Sequence, residues 1–152
     1  MDKMKTKSML KEAISKSTCR KHPLGVLIIT PSLEPIMGWN GPNENLHHYI
    51  CYREGYKSGE GLDLCTGLHA EVRGVMNAAK IGVSLMGATI YMSSWFPCDN
   101  CAKVIIESGI RTLVTPDELN LPENSFYNFR LAERMLKGAG VNIIVDKEMS
   151  LK

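Results

Sequence analysis

Two short runs, far apart in the chain, constrain its fold more than any other feature of the sequence. The first contains His69 and Glu71, and the second places Cys98 and Cys101 at a spacing of three directly after Pro97. In the first turn of a helix two thiols at this spacing point the same way, and the partial positive charge of the helix start lowers their pKa. We therefore expect the fold to bring His69 to this cysteine pair around one metal ion.

The same pattern indicates a catalytic rather than a structural metal site. A neutral imidazole from His69 adds a third ligand to the thiolates of Cys98 and Cys101, which leaves one tetrahedral position open for water. Bound zinc lowers the pKa of water to about 7, and Glu71 is not needed as a ligand, so its carboxylate is free to move protons. Taken alone, the cysteine pair is equally typical of a redox pair or of half a zinc ribbon.

The composition limits the kinds of protein that this chain can be. A chain of 152 residues with 44% hydrophobic and 22% charged residues is expected to form one globular domain over residues 1–152. No apolar run approaches the roughly 20 residues of a membrane span, and no signal peptide is recognised, so we expect a cytoplasmic protein without a membrane partner. The five cysteines are then reduced thiols available to metal. The net charge of +2 predicts no nucleic-acid partner.

Hydrophobic periodicity predicts four helices and five strands. The predicted helices cover residues 4–17, 70–80, 97–109 and 122–137. The predicted strands cover residues 24–30, 36–39, 88–94, 111–115 and 141–145. Because strands and helices alternate in the second half, parallel pairing with right-handed crossovers is required there. The sequence thus predicts a three-layer α/β/α fold with a five-stranded mixed sheet, ordered 2-1-3-4-5, whose first two strands are antiparallel and last three parallel.

The buried faces of two helices are also predicted. In the helix over 70–80, the apolar pattern predicts a buried stripe formed by Val72, Val75, Met76 and Ala79. Gly74 inside this helix costs about 1 kcal/mol relative to alanine, which indicates close backbone packing there. The core face predicted for the fourth helix is formed by Phe126, Phe129, Ala132 and Leu136.

The chain between the second strand and His69 is almost thirty residues of predicted loop. A loop of this length inside a compact domain usually serves a function or holds an ion. Its thiols and imidazoles, with one thiol from upstream, supply enough ligands for a second, closed zinc site built from Cys19, His48 (or His47), Cys51 and Cys65. The alternative is three buried reduced thiols with surface histidines.

Several further short segments of the chain match the sequence pattern of a known family. They occupy residues 17–19 and 25–26, 38–41, 65–71, 87–91, 97–103 and 108–110. With them, the chain from about Ser17 to Val145 resembles the cytidine deaminase superfamily, whose general signature is His-x-Glu followed by Pro-Cys-x-x-Cys. The turn at 39–41 and the cysteine-rich loop before His69 resemble the deoxycytidylate (dCMP) deaminase branch.

This resemblance implies zinc-dependent hydrolytic deamination of dCMP to dUMP and ammonia. His69, Cys98 and Cys101 would hold the catalytic Zn²⁺. Glu71 would carry a proton from the attacking water to the pyrimidine ring and on to the leaving ammonia. The alternatives are deamination of another nucleotide, nucleoside or base, or a non-catalytic zinc-stabilised nucleotide-binding module, against which the presence of Glu71 argues.

The resemblance also implies contacts and partners. Asn40 would hydrogen-bond the deoxyribose, and the backbone N–H of Ala70 would contact the base. A small-molecule nucleotide would be the substrate, a nucleotide triphosphate is the expected effector where regulation exists, and the chain would assemble as a homo-oligomer, a hexamer.

Three positions depart from the family pattern. Arg73 stands where asparagine is common, and it is either a phosphate contact or a salt-bridge partner on the helix surface. Thr115 replaces an aromatic residue at the end of the fourth strand. The stretch around Trp95 has one residue more than expected, which predicts a bulge beside the site. Trp95 and Phe96 either wall the base pocket or belong to the core.

Other aromatic and basic residues of the long loop are assigned to packing or to an interface rather than to chemistry. They are Tyr49, Tyr52, Arg53 and Tyr56.

Overall fold

The protein was analysed as a computed structural model, which describes residues 1–46, 50–116 and 127–151. Its helices are α1 (Lys3–Ser15), α2 (Ala70–Lys80), α3 (Asp99–Glu107) and α4 (Phe129–Gly138). Its strands are β1 (Gly25–Ile29), β2 (Pro35–Trp39), β3 (Thr89–Met92), β4 (Thr112–Thr115) and β5 (Asn142–Val145). Single 3₁₀ turns occupy Glu44–Leu46, Leu62–Leu64 and Lys147–Met149.

The five strands form one mixed sheet in the order β2-β1-β3-β4-β5. β1 is antiparallel to both of its neighbours, and Val26 is paired with Gly38 of β2 and with Met92 of β3. The pairs β3–β4 and β4–β5 are parallel. The predicted strand order and strand directions are therefore confirmed.

Helices cover both faces of the sheet. β1 is buried at all five positions, as its continuous apolar sequence predicts, because a strand covered on both faces needs no polar side. On one face, α1 packs through Leu10 in a cluster with Leu27 and Met149. On the other, α2, α3 and α4 enclose the larger core around Ile28 and Ile90. The three-layer α/β/α prediction is confirmed.

The buried face of α2 differs from the prediction. Its buried residues are Ala70, Glu71, Arg73, Gly74 and Ala78. Val72 and Val75 of the predicted stripe are only partly buried, Ala79 is exposed, and Met76 keeps 46% of its surface exposed. The prediction was wrong because it ranked positions by hydrophobicity, whereas the closest contact with the sheet is made by the small residues Ala70 and Gly74, and Glu71 and Arg73 are buried as well.

Two glycines allow that close approach. A Cβ on Gly38 of β2 would lie 2.2 Å from the carbonyl oxygen of Ala70 and 2.5 Å from the nitrogen of Gly74. The close backbone packing predicted at Gly74 is thereby confirmed. Since Ala70 follows His69 directly, this contact also determines where the start of α2 lies.

The remaining differences concern element ends. α1 ends at Ser15 rather than at residue 17, and β3 is four residues long rather than seven. α4 begins at Phe129; Phe126 and the rest of the predicted first turns lie outside the described residues. Its core face of Phe129, Ala132 and Leu136 is confirmed. In the described ranges, every helix is too short or too polar to cross a membrane.

Candidate metal centre and active site

Two helix starts meet at the centre of the candidate site. His69 is the residue that precedes α2, and Cys98 is the residue that precedes α3. Cys101 lies in the first turn of α3, where its backbone N–H donates to the sulfur of Cys98 at 3.5 Å. Because α2 and α3 pack side by side on the same face of the sheet, the two distant motifs converge.

The ligand atoms of these three residues have the spacing of a metal site. Nδ1 of His69 lies 3.3 Å from Sγ of Cys101 and 3.5 Å from Sγ of Cys98. All three ligand atoms lie within 4.8 Å of one another. In a tetrahedral zinc site with Zn–N and Zn–S bonds of about 2.0 and 2.3 Å, nitrogen and sulfur ligands are about 3.6 Å apart. One imidazole and two thiols at this spacing fit zinc.

Hydrogen bonds within the trio shift its protonation. The pKa of Cys98 is lowered to about 4, first by a hydrogen bond from Cys101 and further by His69. The pKa of His69 is raised to about 9, first by its hydrogen bond to Cys98. The Cys98 thiolate in turn raises the pKa of the Cys101 thiol. Without metal, the trio therefore favours one thiolate beside one imidazolium, and a metal ion displaces the remaining protons.

The carboxyl group of Glu71 lies beside this trio in a buried position. Glu71 is 7% exposed, and burial is the main cause that raises its pKa, because desolvation disfavours the charged form. The charge of His69 and a hydrogen bond from the Cys101 thiol oppose that shift. A buried carboxyl group whose pKa is raised is suited to take up a proton during a reaction and pass it on.

A pocket of about 1010 Å³, including its open mouth, leads to the trio. His69, Ala70, Glu71 and Cys98 line its inner end, and Asn40 lines its wall. Ala70 is the first residue of α2, so its N–H is one of the helix-start donors that have no acceptor within the helix. The structure thus places every predicted zinc, proton-transfer and substrate residue in or beside one cavity.

The side chain of Asn40 is largely occupied by the protein itself. Its Oδ1 accepts from Ser17 Oγ at 2.6 Å and from the Leu24 N–H at 2.7 Å. Its Nδ2 donates to the carbonyl of His22 at 2.7 Å. An amide oxygen accepts two hydrogen bonds and an amide nitrogen donates two, so one N–H remains for a ligand. Asn40 therefore joins the segment before β1 to the pocket wall.

The second zinc site stays a prediction. Cys19, Cys51 and Cys65 line the same pocket as free thiols, and His47 and His48 lie outside the described residues. Within residues 1–46, 50–116 and 127–151, the only three histidine, cysteine or carboxylate groups that converge are those at 69, 98 and 101. The alternative of three buried thiols does not hold either, since Cys65 is exposed and the other two are half-buried.

Trp95 and Thr115, two of the positions that differ from the family pattern, contact each other. Trp95 has a φ of 64°, a left-handed conformation that costs a non-glycine residue about 1–2 kcal/mol. The hydroxyl of Thr115 donates to the Trp95 carbonyl at 3.1 Å, and Thr115 is fully buried. The extra residue therefore lies in a bend that follows β3, where the Thr115 hydroxyl supports it, rather than in the predicted bulge.

Trp95 and Phe96 take one each of the two predicted roles, pocket wall and core. Trp95 is half-buried, lines the pocket and lies with its ring centre 5.9 Å from that of His22. Phe96 is 3% exposed and belongs to the main core, although its edge reaches the pocket wall.

Neither role predicted for Arg73 fits its environment. Its guanidinium donates to the carbonyls of Trp39 at 3.1 Å and Gly41 at 2.8 Å. The side chain is 8% exposed, so it is not a helix-surface residue, and it is absent from the described pocket lining, so it does not face a ligand there. Arg73 instead joins α2 to the turn after β2.

Sequence reasoning missed two pocket residues. The ring of Tyr127 lies 6.1 Å from that of His69, and its carbonyl accepts the Asp99 N–H at the start of α3. Burial raises the pKa of Tyr127. No local motif marks this tyrosine, because its place depends on the packing of α4 against α3. Arg53, assigned to packing from the sequence, also lines the pocket at 8% exposure.

Fold and donor set together define a domain of the zinc-binding class. A three-layer α/β/α domain here brings a His-Cys-Cys trio and a buried carboxyl group to the starts of two helices. Residues 2–116 match the family described as the cytidine and deoxycytidylate deaminase zinc-binding region. The chain belongs to this family of zinc-dependent deaminases.

Individual relatives agree with this assignment. Deoxycytidylate deaminase of Saccharomyces cerevisiae is 28% identical over 134 residues, which cover 86% of this chain and 40% of the yeast protein. ComE operon protein 2 of Bacillus subtilis is 29% identical over 129 residues, covering 84% of this chain and 62% of that protein. The chain thus spans about half the length of these curated relatives.

A solved structure supports the fold. The dCMP deaminase from the cyanophage S-TIM5, in complex with dCMP and dUMP, superposes with a TM-score of 0.73 at 20% identity. The match covers 95% of this chain and 96% of the phage chain, so the whole three-layer fold is shared.

Proposed function

We propose that this protein is a zinc-dependent enzyme that deaminates dCMP hydrolytically to dUMP and ammonia. One observation carries the proposal: the buried carboxyl group of Glu71 lies beside the convergent ligand atoms of His69, Cys98 and Cys101, at the inner end of a pocket. The yeast relative is a deoxycytidylate deaminase, and the phage structure with the same fold binds dCMP and dUMP. These likenesses support dCMP as the substrate.

His69, Cys98 and Cys101 are the residues that would hold the zinc ion. When bound, zinc supplies a water molecule acidic enough to attack at neutral pH. The role of the chain is to keep three ligands in place with the fourth direction open to the pocket. The helix start before Cys98 and Cys101 contributes partial positive charge that favours both thiolates.

Glu71 performs the proton transfers. Its carboxylate takes one proton from the attacking water, whose oxygen forms a bond to C4, and passes that proton to the ring nitrogen of the pyrimidine. It then takes the second proton from the same oxygen and gives it to the amino group, which leaves as ammonia while the C4–N bond breaks and the C4–O bond becomes the carbonyl of dUMP. Burial suits the first transfer, since a carboxylate whose pKa is raised takes up a proton more readily.

Three further residues would position the substrate. The N–H of Ala70, at the start of α2, is directed to the base. The one unoccupied N–H of Asn40 donates to the deoxyribose, while the other three bonds of this amide keep the side chain in one orientation. Trp95, half-buried on the pocket wall, offers an aromatic face for the base.

A substrate panel tests the function. Zinc-loaded protein is assayed for ammonia release with dCMP, CMP, deoxycytidine, cytosine, guanine and a tRNA anticodon stem. We expect dCMP to have the highest kcat/KM, at least ~100-fold above deoxycytidine, because loss of a charged hydrogen-bonding group costs a few kcal/mol. Equal turnover of dCMP and deoxycytidine would reject dCMP as the substrate. Absence of turnover with every compound would reject the deaminase as well.

We also propose that residues 1–152 form one deaminase domain that assembles with copies of itself. Apolar side chains remain exposed on and after the outer side of α2, at Met76 (46%), Ile81 (63%) and Met86 (63%), and a second copy would cover them. The number of six subunits and a triphosphate effector rest on the family resemblance. Sedimentation of a monomer at micromolar concentration would contradict the assembly.

A further inference from the structure

Arg53 combines burial with an incomplete set of hydrogen bonds. It lies in the loop between β2 and α2, is 8% exposed, and lines the pocket that ends at His69 and Glu71. Its Nε donates to the carbonyl of Glu60 at 2.9 Å. That bond anchors the side chain, so the direction of the guanidinium is set by the fold rather than by solvent.

The two terminal nitrogens of this guanidinium have no acceptor among the residues that the structure describes. Across residues 1–46, 50–116 and 127–151, no hydrogen bond from Nη1 or Nη2 of Arg53 is formed. In the same part of the chain no fully buried side-chain nitrogen lacks a partner, so these atoms reach the solvent of the pocket. A guanidinium offers five donors, and most of those of Arg53 remain available to an anion.

The surrounding pocket wall is cationic. Arg20 and Lys21 line the pocket with Arg53, and the single carboxylate among the described lining residues is Glu71 at the inner end. Lys21 donates to the carbonyl of Tyr56, which holds the loop of Arg53 against the segment before β1. Three cations thus line the pocket with one carboxyl group, so the described lining carries an excess of positive charge.

The position of Arg53 relative to the metal trio defines the shape of the ligand. Tyr127 is near both regions: its ring is 6.1 Å from that of His69, and the charge of Arg53 acts on its hydroxyl. Since Arg53 and His69 line the same pocket, one molecule bound there can meet the reactive groups and the cation together. A nucleoside monophosphate offers a base to the first and a phosphate to the second, whereas a nucleoside without phosphate would leave Arg53 unpaired.

We propose that Arg53 binds the 5′-phosphate of the nucleotide substrate and that Arg20 adds a second positive charge at the rim. This inference rests on the proposed function and assigns the residue that selects a nucleotide over a nucleoside. Arg73, the phosphate contact considered from the sequence, does not suit this role, because it is absent from the described pocket lining and its two terminal nitrogens each donate to a backbone carbonyl, that of Trp39 or of Gly41.

The test is the ratio of kcat/KM for dCMP to that for deoxycytidine. Arg53→Gln is expected to lower this ratio about 10- to 100-fold, the size of one lost charge-assisted hydrogen bond. Arg134→Gln, at an exposed position of α4, removes the same charge elsewhere and is expected to leave the ratio unchanged. Arg20→Gln, which leaves the Arg53–Glu60 anchor intact, is expected to lower the ratio about threefold.

Each result decides the question. A fall of the ratio in Arg53→Gln but not in Arg134→Gln supports the assignment. A ratio unchanged in Arg53→Gln, or equal losses on both substrates, overturns it, since a residue that only supports the loop would affect both. If circular dichroism shows that Arg53→Gln is unfolded, Arg20→Gln decides, and an unchanged ratio there overturns the cationic wall.

A binding measurement separates this inference from the proposed function. Titration calorimetry compares dUMP with deoxyuridine on the wild type and on Arg53→Gln. If the wild type deaminates nothing but prefers dUMP, and Arg53→Gln loses that preference, the phosphate site stands while the deaminase proposal fails. If the wild type binds dUMP no better than deoxyuridine, the phosphate site is overturned whatever the enzyme activity.

Discussion

The guanidinium of Arg73 lies 5.6 Å from the centre of the Trp39 ring and donates to the Trp39 carbonyl. A second hydrogen bond, to the carbonyl of Gly41, spans the residue between them, Asn40. Asn40 itself bonds to Ser17 and the chain beyond it. One buried arginine of α2 therefore holds the turn that forms a wall of the active-site pocket.

Arg73→Lys is expected to destabilise the protein by about 1–3 kcal/mol. A lysine ammonium cannot donate to both carbonyls in a planar fork while stacking on Trp39, so a buried carbonyl loses its partner. Urea unfolding of the zinc-loaded protein measures the change. Arg134→Lys on the exposed side of α4 is the matched control, expected within about 0.5 kcal/mol of the wild type. Equal stabilities of the two variants would show that the fork is not needed.

Glu71→Gln is expected to lower kcat by about 10²–10⁴ without loss of zinc or fold. The amide has the size of the carboxyl group but cannot carry the proton, which is the step assigned to it. Ammonia release and metal analysis on the same preparation measure both properties. Glu107→Gln, on the exposed side of α3, is the control and should retain full activity. More than a tenth of wild-type turnover in Glu71→Gln would exclude the proton-transfer role.

Purified protein is expected to contain at least one zinc per chain. Cys98→Ala and Cys101→Ala should each remove this zinc, because two remaining ligands do not hold the ion tightly. Where two zinc ions are found, Cys65→Ala should remove only the second and loosen the long loop. A content of one zinc that Cys65→Ala does not change would reject the second site. Metal analysis by mass spectrometry after dialysis measures all three variants.

Zinc affinity is expected to fall as the pH decreases. In the metal-free protein the pKa of His69 is raised to about 9 and that of Cys98 is lowered to about 4. Between these values zinc displaces one proton from His69 and one from Cys101 but none from Cys98, so affinity decreases by roughly 100-fold for each unit by which the pH falls. Competition with a chromophoric chelator at pH 6, 7 and 8 measures this slope. An affinity independent of pH would contradict the protonation states described for the trio.

Gly38→Ala is expected to destabilise the protein by about 1–3 kcal/mol and to weaken zinc binding. The new methyl group would lie 2.2 Å from the carbonyl of Ala70, so α2 must move away from β2 and take His69 with it. Gly138→Ala is the control: nothing lies within 4 Å of its added methyl group at the end of α4. That variant should be neutral or up to about 1 kcal/mol more stable. Thermal unfolding and zinc titration compare the two.

Much of this protein could be predicted from its sequence because the relevant signals are local. The continuous apolar run of β1 and the alternation of strands and helices were enough for the sheet order, since connections of this length are right-handed. The zinc trio and Glu71 were recognisable because a metal site needs particular ligands at particular spacings. The structure brings those residues together as expected.

Only the tertiary structure decided how the site is walled and supported. Arg73 and Arg53 are both arginines in polar surroundings of the sequence, yet only Arg53 lines the pocket. The terminal nitrogens of Arg73 donate to backbone carbonyls, whereas those of Arg53 have no acceptor among the residues that the structure describes. The buried face of α2 was likewise assigned to large apolar residues, whereas the contact with Gly38 selects small ones. Local sequence determines which ligands and elements exist, but the partner of each donor and the room for each side chain depend on segments far away in the chain.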